Sequence, residues 1–308
     1  MNKVRNYLSL IKFSHTIFAM PFALIGFFLG INNLRKIPFV KIHSSMIQST
    51  WQKTNVFLTH NWYLLFLVIL CMVFARSAAM AFNRYLDRQY DAKNPRTAIR
   101  EIPKGIITPK NALLFTIINS LLFIVCTYFI NSLCFYLSPV ALAVVLGYSY
   151  TKRFTPFCHL ILGLGLSLAP IGAYLAVVGQ FDLLPILFSL SVFFWVSGFD
   201  IIYALQDEEF DKSQQLYSIP AWLGTAKALR VSELLHLFSA AAVVYAGVYG
   251  NFGWLYWVGV AIFIGMLVYQ HSIIKPTDLR KVNLAFMTAN GIASLVFAIF
   301  VIADLFIN

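Results

Sequence analysis

The sequence predicts an all-α protein, a polytopic membrane bundle of about nine transmembrane helices forming one domain over residues 1–308. Three observations carry that prediction. The 308 residues are 60% hydrophobic and only 11% charged, too few charges to cover a soluble domain of this length. The apolar residues gather into runs close to the ~20 residues that cross a ~30 Å hydrocarbon core. The charged residues fall almost entirely between those runs.

The first run, within 10–31, follows a modest basic start and lacks a small-residue cleavage pattern. It therefore reads as a span and not as a removable leader. The stretch 32–61 is longer than a bundle needs and reads as an extended outer loop. It mixes Phe39, Val40, Ile42, Met46, Ile47, Trp51, Phe57 and Leu58 with four cations, as an interfacial helix or outer cap would. Further runs occupy 62–82, 111–130, 133–150, 159–179, 183–205, 231–250, 253–272 and 283–303. Tight connections at Asn131-Ser132 and around Gln180-Phe181-Asp182 imply antiparallel hairpins. The glycine pairs Gly26/Gly30, Gly163/Gly165 and Gly247/Gly250 permit close helix approach. The four cysteines (Cys71, Cys126, Cys134, Cys158) lie in or beside apolar runs without metal-ligand spacing, so buried free thiols are expected.

With the N-terminus inside, segments 1–12, 83–110, 151–158, 206–230 and 273–282 face the cytoplasm. They hold 18 of the 23 Lys and Arg residues, which is the asymmetry that orients membrane helices. The net charge of +11 is thus a topological signal, and it calls for no nucleic-acid partner.

Against this background the acids are conspicuous. Eight of the twelve fall in two places and their immediate flanks. The first, at the end of the second run, presents Asn83, Asp87 and Asp91 at i, i+4 and i+8. Each step of four residues turns a helix by only about 40°, so the three oxygen-bearing side chains form one ridge. The second, closing the sixth run, repeats the spacing with Asp207 and Asp211. Asp200 and Tyr203 lie one to two turns upstream on nearly the same face. A solvated helix end is the plain reading of either ridge alone. Two such ridges on the same predicted side read as two halves of one site suited to a hard cation such as Mg²⁺.

The acids between Asn83 and Lys110 alternate with cations, Arg88 and Arg100 among them. Carboxylates alone would repel a diphosphate, whereas a bridging divalent ion with basic side chains balances the charge. Arg76 lies inside the second run, where arginine costs about 2.5–3.5 kcal/mol on insertion scales. Two helical turns put it on the face of Asn83, aimed at the presumed cavity, with snorkelling to the interface as the alternative. Tyr148 and Lys152, i and i+4 at the end of the fourth run, place a phenol and an ammonium where both reach one anion.

Taken together, these residues resemble the UbiA superfamily of intramembrane prenyltransferases, over most of the chain. Its signature Arg-x6-Asn-x3-Asp-x3-Asp is matched by Arg76, Asn83, Asp87 and Asp91. Its Asp-x2-Tyr-x3-Asp-x3-Asp is matched by Asp200, Tyr203, Asp207 and Asp211, and its Tyr-x3-Lys by Tyr148 and Lys152. Two departures stand out. Arg84 follows the Asn where many members carry Asp, and Leu216-Tyr217-Ser218-Ile219-Pro220 replaces a basic-Ser-Thr element. The opening Ile11-Lys12-Phe13-Ser14-His15-Thr16 and Tyr217–Pro220 look most like the 4-hydroxybenzoate-polyprenyltransferase branch, and within it like members of the futalosine route to menaquinone.

The resemblance implies a polyprenyl diphosphate as donor and an aromatic acid as acceptor, in ubiquinone or menaquinone biosynthesis. It implies two Mg²⁺, one organised by Asn83, Asp87 and Asp91 and the other by Asp207 and Asp211. Arg76 and those aspartates would carry the chemistry. Lys12 and His15 would hold the acceptor carboxylate. The expected location is the bilayer of a bacterial inner membrane, with the N-terminus and active-site loops cytoplasmic. The rival reading is an ion-coupled transporter, which expects acids near the membrane midplane and not at one rim.

Overall fold

In the computed structural model of the protein, residues 3–11, 18–33 and 50–307 are described. Twelve α-helices account for most of them: α1 (Lys3–Leu10), α2 (Met20–Asn32), α3 (Thr50–Lys93), α4 (Pro109–Ile130), α5 (Ser132–Thr151), α6 (Cys158–Val178), α7 (Leu183–Ala204), α8 (Glu208–Ser213), α9 (Ile219–Leu223), α10 (Thr225–Tyr249), α11 (Trp254–Ile273) and α12 (Asn290–Ile307). A 3₁₀ turn, Leu205–Asp207, joins α7 to α8, and a π-helical turn, Leu284–Ala289, opens into α12.

Among the described residues, eight helical segments are long and apolar enough to cross a membrane, and α2 is a shorter apolar helix beside them. The single first run expected over 10–31 is divided: α1 ends at Leu10, and α2 begins at Met20 with Pro21 in its first turn, where proline's fixed φ and missing N–H suit a helix start. Leu10 instead packs with Ala81, Ile102 and Ile107 over the connection after α3, and Ser9 donates to Glu101.

Of the stretch read as an outer loop, residues 34–49 lie outside the described residues, and Thr50 onward is helical. The α3 helix runs through to Lys93 with one non-helical residue, Asn61 (φ −130°, ψ 26°). Asn61 Nδ2 donates to Phe57 O at 3.3 Å, a side-chain bond at the point where the ladder breaks. Phe57 is buried against Phe27 of α2, which is why the helix can extend beyond the apolar run.

The spans alternate in direction because their connections are short. Asn131 serves both helices of one hairpin, its N–H donating to Thr127 O at the end of α4 (3.3 Å) and its side chain accepting from Cys134 N of α5 (2.8 Å), while its Nδ2 donates to Leu175 O of α6 (2.9 Å). Gly179, at φ +72°, ends α6 before the return into α7. Helix α7 lies between α6 and α10, and α2 lies against α6. These approaches are close because side chains are missing where backbones meet: a Cβ on Gly26 would stand 2.0 Å from Pro170 O, and one on Gly163 2.5 Å from Phe193 O. In lipid, where burial alone does not drive helices together, such contacts are the source of packing energy. The buried centre is aromatic, with Phe22, Trp195, Phe263 and Phe297 in mutual contact.

Candidate active site

Alternation of the spans brings the last turns of α3, α5 and α7 to the same end of the bundle. A cavity of about 370 Å³ opens between them, and both aspartate ridges line it. From α3 come Arg76, Asn83, Arg84, Asp87 and Asp91; from the segment after it, Asn94, Arg96 and Arg100. Tyr148 and Lys152 come from the end of α5, and Asp200, Tyr203, Asp207 and Asp211 from α7 and the turns that follow. The two ridges sit at helix ends, at one rim of the bundle, in the arrangement that the transporter reading does not expect.

Each of the four ridge carboxylates faces a cation. Arg153 donates to Asp87 Oδ1 at 2.8 Å, while Asn83 Nδ2 donates to Asp87 Oδ2 at 3.0 Å. Arg100 donates to Asp91 Oδ1 at 2.6 Å. Arg96 grips Asp207 through both Nε (3.0 Å) and a terminal nitrogen, and Asn94 adds a bond to the same carboxylate at 3.0 Å. Lys152 Nζ stands 3.4 Å from Asp211 Oδ1. Arg96 also donates to the Tyr203 hydroxyl at 2.9 Å, so a residue of the first motif's flank ties down two members of the second.

Burial works against the charge on Lys152, but Asp211, then Asp87 and Asp207, outweigh it and raise its pKa above the ordinary lysine value. Burial likewise opposes the charge on Arg96, and the bonds to Asp207 more than reverse the effect. Five aspartates and five cations (Arg76, Arg84, Arg96, Arg100 and Lys152) line the cavity. A near-balanced site accepts a diphosphate readily only together with positive charge.

Several polar atoms are unspent. Asp91 Oδ2 is buried without a hydrogen-bond partner, as are Arg76 Nε and Arg84 Nε, and Asp211 Oδ1 has only its 3.4 Å ion pair with Lys152. The Asn83 amide nitrogen is taken by Asp87, so its carbonyl oxygen is the atom it can offer a ligand. Oxygen donors of this kind suit Mg²⁺, and each ridge carries one buried carboxylate oxygen that accepts no hydrogen bond. Among the described residues no three acidic, His or Cys side chains already converge closely enough to hold an ion. Arg and Lys partners would therefore have to yield part of their hold on the carboxylates as a metal and an anion enter together.

Not every expected residue is here. Arg88 turns away from the cavity, donating to Tyr85 O at 2.7 Å and lying over the Tyr85 ring, because its position on α3 falls off the ridge. Lys12 and His15 lie outside the described residues. Conversely, Arg96, Asn94, Arg153 and His159 serve the site although no spacing in the sequence marks them. His159 donates from Nδ1 to Asp200 Oδ2 at 2.7 Å and accepts from Ile219 N at 3.3 Å, which holds the loop before α9 against the second motif. Their signal is weak: Asn94, Arg96 and Arg153 are single polar residues in connections rich in them, and His159 is one histidine in the first turn of α6. A second cavity, of about 400 Å³, lies at the opposite helix ends near Asp182 and Asp304. Its acids are already committed, Asp182 to Asn33 and Tyr174, and Asp304 to the backbone N–H groups of Gly253 and Tyr256 at the start of α11.

Comparison with known proteins bears directly on this cavity. Residues 56–295 match the model of the UbiA prenyltransferase family. A 4-hydroxybenzoate octaprenyltransferase of Tolumonas auensis is 30% identical over 230 residues, 72% of this chain and 78% of the relative. The enzyme of the same name from Nitrosospira multiformis is 29% identical over 76% of this chain and 81% of its own. Among solved structures, the apo form of a UbiA homolog from Aeropyrum pernix K1 superposes with a TM-score of 0.74 at 27% identity, covering 95% of this chain and 97% of that one. A UbiA homolog from Archaeoglobus fulgidus bound to GPP and Mg²⁺ shares the fold at 20% identity, with a TM-score of 0.69 and coverage of 97% and 99%.

Proposed function

The chain belongs to the UbiA prenyltransferase family, and on that premise we propose that the cavity between α3, α5 and α7 is where a polyprenyl diphosphate ionises beside an aromatic acid. The protein is an aromatic prenyltransferase of the membrane. The acceptor we assign is a 4-hydroxybenzoate-like acid, the class for which the bacterial relatives are named, and the product is the ring of a future quinone. The observation that carries this reading is the meeting of two carboxylate ridges in one cavity, each with a buried oxygen that accepts no hydrogen bond.

The chemistry follows from those side chains. The allylic C–O bond breaks and its electron pair leaves with the diphosphate. The resulting allylic cation is attacked by the acceptor ring, which then loses a proton. Arg76 and Arg84, with buried unpaired guanidinium nitrogens, and Lys152 supply fixed positive charge to the departing diphosphate. Mg²⁺, held by Asn83, Asp87 and Asp91 on one side and by Asp207 and Asp211 on the other, supplies the remaining charge neutralisation when bound. Asn94 and Arg96 keep Asp207 and Tyr203 in place, and Arg153 does so for Asp87. Apolar walls of Phe18, Phe199 and Phe286 keep water from the cation. The Lys and Arg bias supports a cytoplasmic placement of this rim, and the bacterial source of the named relatives supports an inner-membrane location.

The test is direct. Purified enzyme with Mg²⁺ and a labelled polyprenyl diphosphate is offered a panel of aromatic acids, including hydroxybenzoates and dihydroxynaphthoates. Prenylation of a hydroxybenzoate is the expected result. Prenylation of a naphthoate alone moves the acceptor to the futalosine route, and no prenylated product from any acid removes the assignment.

A further inference from the structure

The π-helical turn Leu284–Ala289 touches the cavity through Phe286, and one buried residue holds it. Asn290 is fully buried, and all four of its amide hydrogen-bonding positions are used. Its Nδ2 donates to Ala285 O and Phe286 O, both at 3.1 Å. Its Oδ1 accepts from Trp195 Nε1 of α7 at 2.8 Å and from Gln270 Nε2 of α11 at 2.9 Å. An indole nitrogen only donates, so the amide orientation is fixed by chemistry. A π turn shifts the backbone ladder by one residue and needs substitute donors for its carbonyls; such turns also cluster at functional sites.

The turn carries Phe286 into the cavity wall. Its ring lies against Tyr203 (centroids 4.2 Å apart), Phe199 (5.4 Å) and Phe18 (5.4 Å). Tyr203 in turn receives Arg96, the residue that grips Asp207. An ordinary α-helix through 284–289 would rotate Phe286 away from this position, because removing one residue's worth of bulge turns the preceding helix by about 100°.

We propose that Asn290 is a positioning residue for prenyl transfer: by holding the π turn it seats Phe286 on Tyr203, and this pair forms the wall that keeps water from the allylic cation. The inference rests on the function proposed above. Where the wall is intact, the cation forms a carbon–carbon bond to the acceptor ring and the ring's proton is lost. Where it is breached, a water oxygen bonds to the same carbon, a proton is lost from that water, and free prenol results. Asn290 touches neither reactant, so its removal should change the partition between these products more than diphosphate binding.

The experiment compares Asn290→Ala, Phe286→Ala and Trp195→Phe with wild type in detergent, using labelled polyprenyl diphosphate, Mg²⁺ and the preferred aromatic acid. Prenol and prenylated acid are quantified in the same reaction, and diphosphate affinity and thermal midpoint are measured separately. Asn290→Ala and Phe286→Ala should each raise the prenol-to-product ratio by about tenfold. Diphosphate affinity should stay within about threefold of wild type in both. The double variant should be no worse than either single, since both act through one wall. Trp195→Phe, which keeps an aromatic side chain and drops the N–H, should shift the ratio in the same direction. An unchanged ratio in folded Asn290→Ala, or in Phe286→Ala if the former does not fold, overturns the proposal. Wild type making neither product overturns the functional reading instead, so the two failures are distinct.

Discussion

Replacing Arg76 with leucine separates a ligand-binding arginine from a structural one, and the structure sets the expected size of each effect. Arg76 lies inside α3 and lines the cavity, and its Nε is buried without a hydrogen-bond partner. Leucine therefore breaks no observed bond at that atom and removes part of an insertion cost of about 2.5–3.5 kcal/mol. The Arg76→Leu protein should be at least as stable as wild type. If Arg76 engages the diphosphate, the lost charge-assisted contact is worth about 1.5–3 kcal/mol, or roughly a 10- to 150-fold weaker Kd. Arg76→Lys keeps the charge without the planar fork and should fall between the two. A suitable control is Arg153→Leu, since Arg153 bonds Asp87, Leu86 O and Ser149 O. Losing it strands a mostly buried carboxylate and should cost about 3 kcal/mol of stability. Thermal midpoints in detergent, with calorimetric titration of a prenyl diphosphate and Mg²⁺, give both quantities. Arg76→Leu that melts several degrees lower but binds diphosphate normally would refute the reasoning.

Three further outcomes are expected. Because five aspartates and five cations line the cavity, Mg²⁺ and diphosphate should each tighten the other's binding by an equal factor. Titrating one at fixed levels of the other checks this, and EDTA should abolish turnover until Mg²⁺ is restored. Asp87→Ala and Asp207→Ala should each reduce kcat by orders of magnitude, with the double variant little worse than either single, because the ridges serve one cavity; kinetics on all three variants decide it. The pKa of Lys152 is raised in the folded state above the ordinary 10.5. Its contribution to stability is thus fully present below about pH 10.5 and is lost as pH rises through the folded value. The melting gap between wild type and Lys152→Met should be flat from neutral pH to about pH 10 and close above it.

What the sequence determined by itself was everything that depends on local spacing or on composition. Apolar run lengths announced eight spans, though not the division of the first run between α1 and α2, and i, i+4 periodicity announced two ridges whose members share a helix face whatever the rest of the chain does. The predicted hairpin at Asn131-Ser132 is found, because Asn131 closes α4 through Thr127 O and caps α5 through Cys134 N, both contacts within four residues. Arg88 shows the limit of composition: it belongs to the same charged stretch as Arg100, yet helix phase turns it from the cavity. Tertiary structure alone decided which cations answer which carboxylates. Arg96 reaches Asp207 and Arg153 reaches Asp87 across separations of 111 and 66 residues, and no local pattern encodes a contact between chains of loop brought together by helix packing. The π turn was equally illegible. Leu284–Ala289 reads as ordinary apolar helix, and its irregularity exists because Trp195 and Gln270, from two other spans, hold Asn290 where it can occupy the turn's carbonyls.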